Sequence, residues 1–149
     1  MKTIWVLHGP NLNLLGSREP EIYGRSTLAE IDAQLIAHGR RHGVTVECFQ
    51  SNREGALVDR VQAARGVVNG LVINAAAYSH TSIALRDALV FAEVPAIEVH
   101  LSNVARREDF RHRSLLADVC RGTITGLGPV GYQLALDALV SDGVHEVCS

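Results

Sequence analysis

Hydrophobic and polar positions alternate between two textures along the chain. Near-continuous apolar runs, rich in β-branched residues, occupy 3–7, 44–49, 71–73, 96–99 and 119–124. Runs of that kind predict strands buried on both faces. Between them, apolar positions recur at helical spacing. Leu28, Ile31 and Leu35 follow Thr27-x-x-Glu30, a capping box. Leu57, Val58 and Val61 follow a second box, Ser51-x-x-Glu54. Leu85, Ala88, Leu89 and Ala92 share one face of a helix over 81–92, which Pro95 stops. A fourth helix starts near Pro129 and carries Leu134, Leu139 and Val140. Strand–helix alternation at this pitch predicts one α/β domain over 1–149 with a parallel sheet. Five strands suit a flavodoxin-like order, 2-1-3-4-5, with right-handed crossovers and helices on both faces. No repeat, linker or low-complexity segment interrupts it, and the tail, 141–149, is expected to be loosely held.

In such a sheet ligands bind beyond the carboxyl ends of the strands, near the switch point between strands 1 and 3. The residues just after each strand are therefore the candidates. They are His8-Gly9-Pro10-Asn11-Leu12-Asn13, then Asn74-Ala75-Ala76-Ala77-Tyr78-Ser79-His80-Thr81-Ser82, then Glu98-Val99-His100-Leu101-Ser102-Asn103. Three strand ends thus put polar groups on one rim. Glu98 and His100, two apart on a strand, share a side, so the carboxylate can orient the imidazole. A satisfied histidine at a strand end is the plainer reading. Asn74 followed by three alanines lets a ligand approach the backbone, and the free N–H groups there suit an anion. An asparagine in a βα turn is also common without any ligand. His80 is either part of a helix N-terminus or a ligand contact.

The first βα connection, 9–25, is long and aperiodic, as active-site lids often are. It places Tyr23 near Arg18 and Arg25. Free tyrosine has a pKa of about 10, and bringing it near 7 takes roughly 4 kcal/mol. One guanidinium at ~4 Å in an effective dielectric of ~20 supplies about that much. Tyr23 can therefore be a base, or a surface aromatic packed on the domain. The run Arg106-Arg107-Glu108-Asp109-Phe110-Arg111-His112-Arg113 is a solvated face, a weak nucleic-acid patch, or a carboxylate grip by Arg111 with Phe110 as its anchor.

Composition narrows the classes. With 149 residues and a formal charge of −2, the chain has no global basic field for nucleic acid. Its longest apolar runs fall short of a bilayer span, and its start lacks a signal-peptide pattern. Cys48, Cys120 and Cys148 have no zinc-ligand spacing, and an odd, scattered set suits a reducing cytoplasm. Among 14 basic residues only Lys2 is a lysine, so no internal lysine is available for Schiff-base chemistry. Phosphate-loop, dinucleotide, zinc-protease and nucleophile-elbow motifs are absent.

Taken together, these blocks resemble the type II 3-dehydroquinate dehydratases of the shikimate or quinate pathway. The matching stretches are the three rim segments above, Arg18-Glu19-Pro20-Glu21-Ile22-Tyr23-Gly24, Ala84-Leu85-Arg86-Asp87-Ala88, Phe110-Arg111, Gly126-Leu127-Gly128 and Gly131-Tyr132. They run in order from residue 2 to about 140. The resemblance implies conversion of 3-dehydroquinate to 3-dehydroshikimate through an enolate, without metal or cofactor. It implies Tyr23 as the base, Arg18 as the cation that keeps it ionised, and Asn11 as the holder of an enolate-stabilising water. It implies His100 as the general acid, oriented by Glu98. Asn74, His80, Leu101, Ser102 and Arg111 would bind the substrate, and Asp87 would reach a neighbouring subunit's site in a cytoplasmic dodecamer built from trimers. No nucleic acid and no membrane are implied as partners.

The chain departs from the family pattern at Arg113-Ser114-Leu115-Leu116-Ala117, although the Phe-Arg-x-x-Ser spacing survives. Ser17 stands where threonine is usual, and Ala75 where proline is usual. Two rival readings remain: a non-catalytic flavodoxin-like module that binds a small anion, and a nucleic-acid binder using 106–113.

Overall fold

The computed structural model describes residues 2–17, 19–23 and 25–141, with the side chains of Pro20 and Tyr23 excepted. Five strands, β1 (Lys2–His8), β2 (Val44–Gln50), β3 (Gly70–Asn74), β4 (Ala96–His100) and β5 (Gly122–Thr125), form one sheet. Its order is β2-β1-β3-β4-β5, and every pairing is parallel, as the sequence predicts. The helices are α1 (Pro20–Tyr23), α2 (Leu28–Arg41), α3 (Glu54–Ala63), α4 (Ile83–Ala92) and α5 (Val130–Val140). Among the described residues no helix is long and apolar enough to cross a membrane.

Strand alternation sorts the core into two layers. Ile4, Val6, Val72, Ile97 and Val99 face α2 and α5, where Ile31, Leu35, Leu136 and Leu139 meet them. Trp5, Leu7, Leu71 and Ile73 face α3 and α4, against Leu57, Val61, Leu85 and Leu89. Each such side chain, fully buried, contributes about 1.5–3 kcal/mol. The same alternation decides which face each polar residue at a strand end serves. His8 and Asn74 continue the α2/α5 face, while Glu98 and His100 continue the other.

Three local expectations are corrected. Ser51 does not cap α3: Arg53 is its N-cap residue, and the Ser51 hydroxyl accepts from the Arg53 N–H in a turn before it. α4 starts later than 81, because Ser82 accepts from Leu85 N–H and ends the preceding turn. The fifth strand covers 122–125 rather than 119–124, since 117–119 form a 3-10 turn that seats Leu116 in the core. The tail beyond Ser141 lies outside the described residues.

One close approach builds the rim. A Cβ on Gly9 would lie 2.3 Å from the Ala75 carbonyl oxygen, so only glycine fits there. Its N–H donates to the Asn74 carbonyl at 2.7 Å. The loops after β1 and β3 are thereby pressed together, and Asn11 and Asn74 reach one cleft.

Candidate active site

The cleft sits at the carboxyl ends of β1, β3 and β4 and encloses about 680 Å³ including its open mouth. A concave, polar-lined cleft at the carboxyl ends of the strands is where an open α/β sheet binds small ligands. Asn11, Asn74, His80, His100, Leu101, Ser102 and Arg111 line it, together with Arg107. Glu98 stands behind His100. Asp87 lies away from the cleft, exposed on α4. Arg18 and the Tyr23 side chain fall outside the described residues; the backbone at Tyr23 ends the short helix α1. The connection 9–25 is thus not structureless, since a 3-10 turn at Leu12–Leu14 and α1 punctuate it.

His100 Nε2–H donates to Glu98 Oε2 at 2.8 Å, and both residues are buried. A carboxylate can only accept, so this bond leaves Nδ1 as the imidazole's other working atom. Ser114 donates its hydroxyl to the same Glu98 oxygen at 2.7 Å while accepting from the Leu116 and Ala117 N–H groups. Burial opposes ionisation of Glu98 more than any other single influence. Hydrogen bonds from His100 and Ser114, with the charge of His100, outweigh it and bring the carboxyl below its ordinary range. Glu98 is therefore a fixed negative charge under the imidazole.

A stability prediction follows. A carboxyl whose native pKa is depressed adds stability that is present above its ordinary value of 4.5 and lost as pH falls through the native value. Glu98→Gln is expected to flatten the acid limb of a melting-temperature profile against pH. An unchanged slope would show that Glu98 gains nothing from its partners.

His80 shares the cleft wall, its ring 6.0 Å from that of His100 and nearly parallel to it. Its Nδ1–H donates to the Arg113 carbonyl at 2.9 Å. Burial lowers its pKa most, and the Arg113 carbonyl pulls the other way; His100 and Arg111 lower it further. His80 is thus held neutral, with Nε2 as an acceptor. Asn11 sits at φ 68°, a left-handed conformation that asparagine tolerates, and its N–H donates to Asn52 Oδ1 at 2.9 Å. Ala76 is left-handed too, at φ 52°. Strain of that kind gathers at functional sites.

The charged run at 106–113 turns inward, because Arg107 and Arg111 line the cleft. Arg111 Nε donates to Glu108 Oε1 at 2.9 Å, which aims the guanidinium. Phe110 does not anchor the run. It is 68% exposed, with the Arg111 guanidinium over its ring. The atypical segment at 113–117 is firmly held. Leu116 is fully buried, Ser114 grips Glu98, and Arg86 reaches the Leu115 carbonyl and the Asp118 carboxylate.

Sequence reasoning gave no role to Ser114, although its spacing from Arg111 was the available signal. It named His8 among the rim candidates and Tyr132 among the matching residues but gave neither a role; both are buried, joined to each other and to Asn74. Among the described residues, two groups of side chains have donor atoms close enough for a metal ion, His8–Asp32–Cys48 and His38–His42–Asp137. In each, a histidine already donates to the aspartate, at 2.7 and 2.6 Å. Burial, with Asp32 beside it, pushes the Cys48 thiol far above its ordinary value, which disfavours the thiolate a metal needs.

Comparison with known proteins places this geometry. The family described as dehydroquinase class II matches residues 2–140. A 3-dehydroquinate dehydratase of Ruegeria pomeroyi is 59% identical over 141 residues, which is 95% of each chain. A catabolic 3-dehydroquinase of Aspergillus oryzae is 56% identical over 136 residues, 91% of this chain and 89% of that one. The crystal structure of a type II dehydroquinase from Butyrivibrio crossotus superposes with a TM-score of 0.92 at 45% identity, covering 94% of this chain and 98% of that one.

Proposed function

The chain belongs to the dehydroquinase class II family, and we propose that it removes water from 3-dehydroquinate to give 3-dehydroshikimate in the cleft just described. The observation that carries this reading is the buried Glu98–His100 pair at the cleft wall, locked by Ser114. Dehydration next to a ketone needs a base, a stabiliser for the enolate oxygen and an acid for the departing hydroxyl. Tyr23, at the end of α1 in the long first connection, takes the proton α to the ketone, and Arg18 keeps it ionised. The electron pair moves to the carbonyl oxygen, where a water held by Asn11 stabilises the enolate. The enolate then collapses, the carbon–oxygen bond breaks, and His100 protonates the leaving hydroxyl from Nδ1 to give water. Arg111 holds the substrate carboxylate, as its donors and place in the cleft allow. Asn74, His80, Leu101 and Ser102 hold the remaining oxygens.

The rival, an anion-binding module without catalysis, shares the fold and Arg111 but gives Glu98 and His100 no task. Calorimetry and enone absorbance on one sample separate the two. Binding of 3-dehydroquinate followed by rising absorbance is expected; tight binding with no product would establish the module instead.

The protein also assembles as a homo-oligomer in this reading. Ile83, Asp87, Val90 and Phe91 are exposed at helical spacing on α4. An apolar stripe of that kind around one carboxylate suits a neighbouring subunit. Sedimentation is expected to give a multiple of the 16.1 kDa chain, up to a dodecamer of trimers. A monomer would contradict it.

A further inference from the structure

Behind the cleft wall, the hydrogen bonds of Asn74 have a direction that can be worked out from both ends. The Ala76 N–H can only donate, and it donates to Asn74 Oδ1 at 3.1 Å. That bond fixes the amide, whose oxygen and nitrogen are otherwise hard to tell apart. Nδ2 therefore faces Tyr132 and donates to its hydroxyl at 3.0 Å. Tyr132 is fully buried, and burial, opposed only by the bond from Asn74, keeps its phenol protonated. Its single hydrogen goes to His8 Nδ1 at 2.8 Å. His8, also fully buried, then carries its own hydrogen on Nε2 and donates it to Asp32 Oδ1 at 2.7 Å. Asp32, partly exposed, ends the chain with a group that can only accept. The chain runs one way, and each bond polarises the next.

We propose that Asp32, His8 and Tyr132 are positioning residues that lock Asn74 with its amide nitrogen, not its carbonyl, toward the cleft. The site then offers a hydrogen-bond donor at that point and selects a substrate oxygen that accepts. Among the described residues nothing takes the second Nδ2 hydrogen. Turning the amide over would set Nδ2 against the Ala76 N–H, donor against donor, and Oδ1 against the Tyr132 hydroxyl. The proposal rests on the cleft being the dehydration site. A purely structural chain would satisfy the same buried groups, so the test must separate positioning from stability.

A double-mutant cycle on kcat/KM does so. Tyr132→Phe alone is expected to lower kcat/KM about tenfold, chiefly through KM, the scale of one lost hydrogen bond. In an Asn74→Ala background the same change is expected to cost less than about twofold, because it acts through Asn74. Equal losses in both backgrounds, in proteins that melt well above the assay temperature, would overturn the proposal. Should Tyr132→Phe fail to fold, Asp32→Asn replaces it in the cycle with the same two outcomes. Nitrogen-15 shifts of the His8 ring give a readout independent of activity. An Nε2–H tautomer is expected, and hydrogen on Nδ1 would contradict the direction of the chain. Wild type that fails to turn over 3-dehydroquinate would sink the proposed function alone, since the tautomer is still read.

Discussion

Replacing His100 by alanine is expected to lower kcat by about 10²- to 10⁴-fold, the range for loss of a positioned proton donor. The size follows from geometry. His100 is the one imidazole in the cleft with its Nε2–H pinned by a buried carboxylate, at 2.8 Å. In the proposed mechanism this leaves Nδ1 as the transfer atom, and without it hydroxide would leave unprotonated. Alanine also strands part of the buried Glu98 charge, although Ser114 still satisfies one oxygen. His100→Gln separates the two effects. Glutamine keeps a donor for Glu98 but carries no proton of usable acidity. It is expected to hold the melting temperature near wild type while kcat falls as far as in alanine. A glutamine variant with near-normal kcat would remove His100 from the role of acid.

Tyr23→Phe is expected to produce a loss of the same order, with KM little changed, because the base acts in the transition state and not in the ground state. Lys2 is the only lysine, and it opens β1. The active rim begins at the other end of that strand, about 20 Å away at about 3.3 Å per residue. Covalent activation of the ketone through lysine is thus out of reach, so the α-proton must go to a side-chain base. Glu98, behind the cleft wall, is already committed to His100 and Ser114. His80 is held with Nδ1 on the Arg113 carbonyl. Tyr23, which the family resemblance pairs with Arg18, is the base proposed here. If Arg18 is the cation that favours tyrosinate, Arg18→Gln should move the acid-side rise of kcat/KM to higher pH. Full activity in Tyr23→Phe would transfer the base role elsewhere.

Most of the fold was legible because a parallel sheet buried on both faces writes itself as unbroken apolar runs. β1, with Ile4 and Val6 serving one layer and Trp5 and Leu7 the other, is the clearest case. The edge strand β5 was read too early because Val119 and Cys120 continue an apolar run without continuing a strand. They pack beside Leu116 against the α3/α4 layer instead. The Ser51 box failed for a related reason. Box spacing cannot tell a helix cap from a turn that closes on the Arg53 N–H.

The site was legible where periodicity alone decided it. Two residues apart on a strand is enough to place Glu98 beside His100. It was illegible where the partner is far along the chain. Nothing local to Ser114 says that its hydroxyl meets a carboxylate on β4, 16 residues away in sequence. Nothing local to His8 says that it bridges Tyr132 on α5 and Asp32 on α2. Phe110 misled because an aromatic in a charged run suggests an anchor, whereas here the ring supports the Arg111 guanidinium from the solvent side.

The most direct test of the central claim is turnover of 3-dehydroquinate by the purified chain in the presence of borohydride and a chelator, followed by the absorbance of the conjugated enone and by intact mass. Undiminished turnover with an unchanged protein mass is the result expected of a side-chain base and acid on this rim. Loss of turnover with a borohydride-reduced adduct on the protein, or no turnover at all by the folded protein, would contradict it.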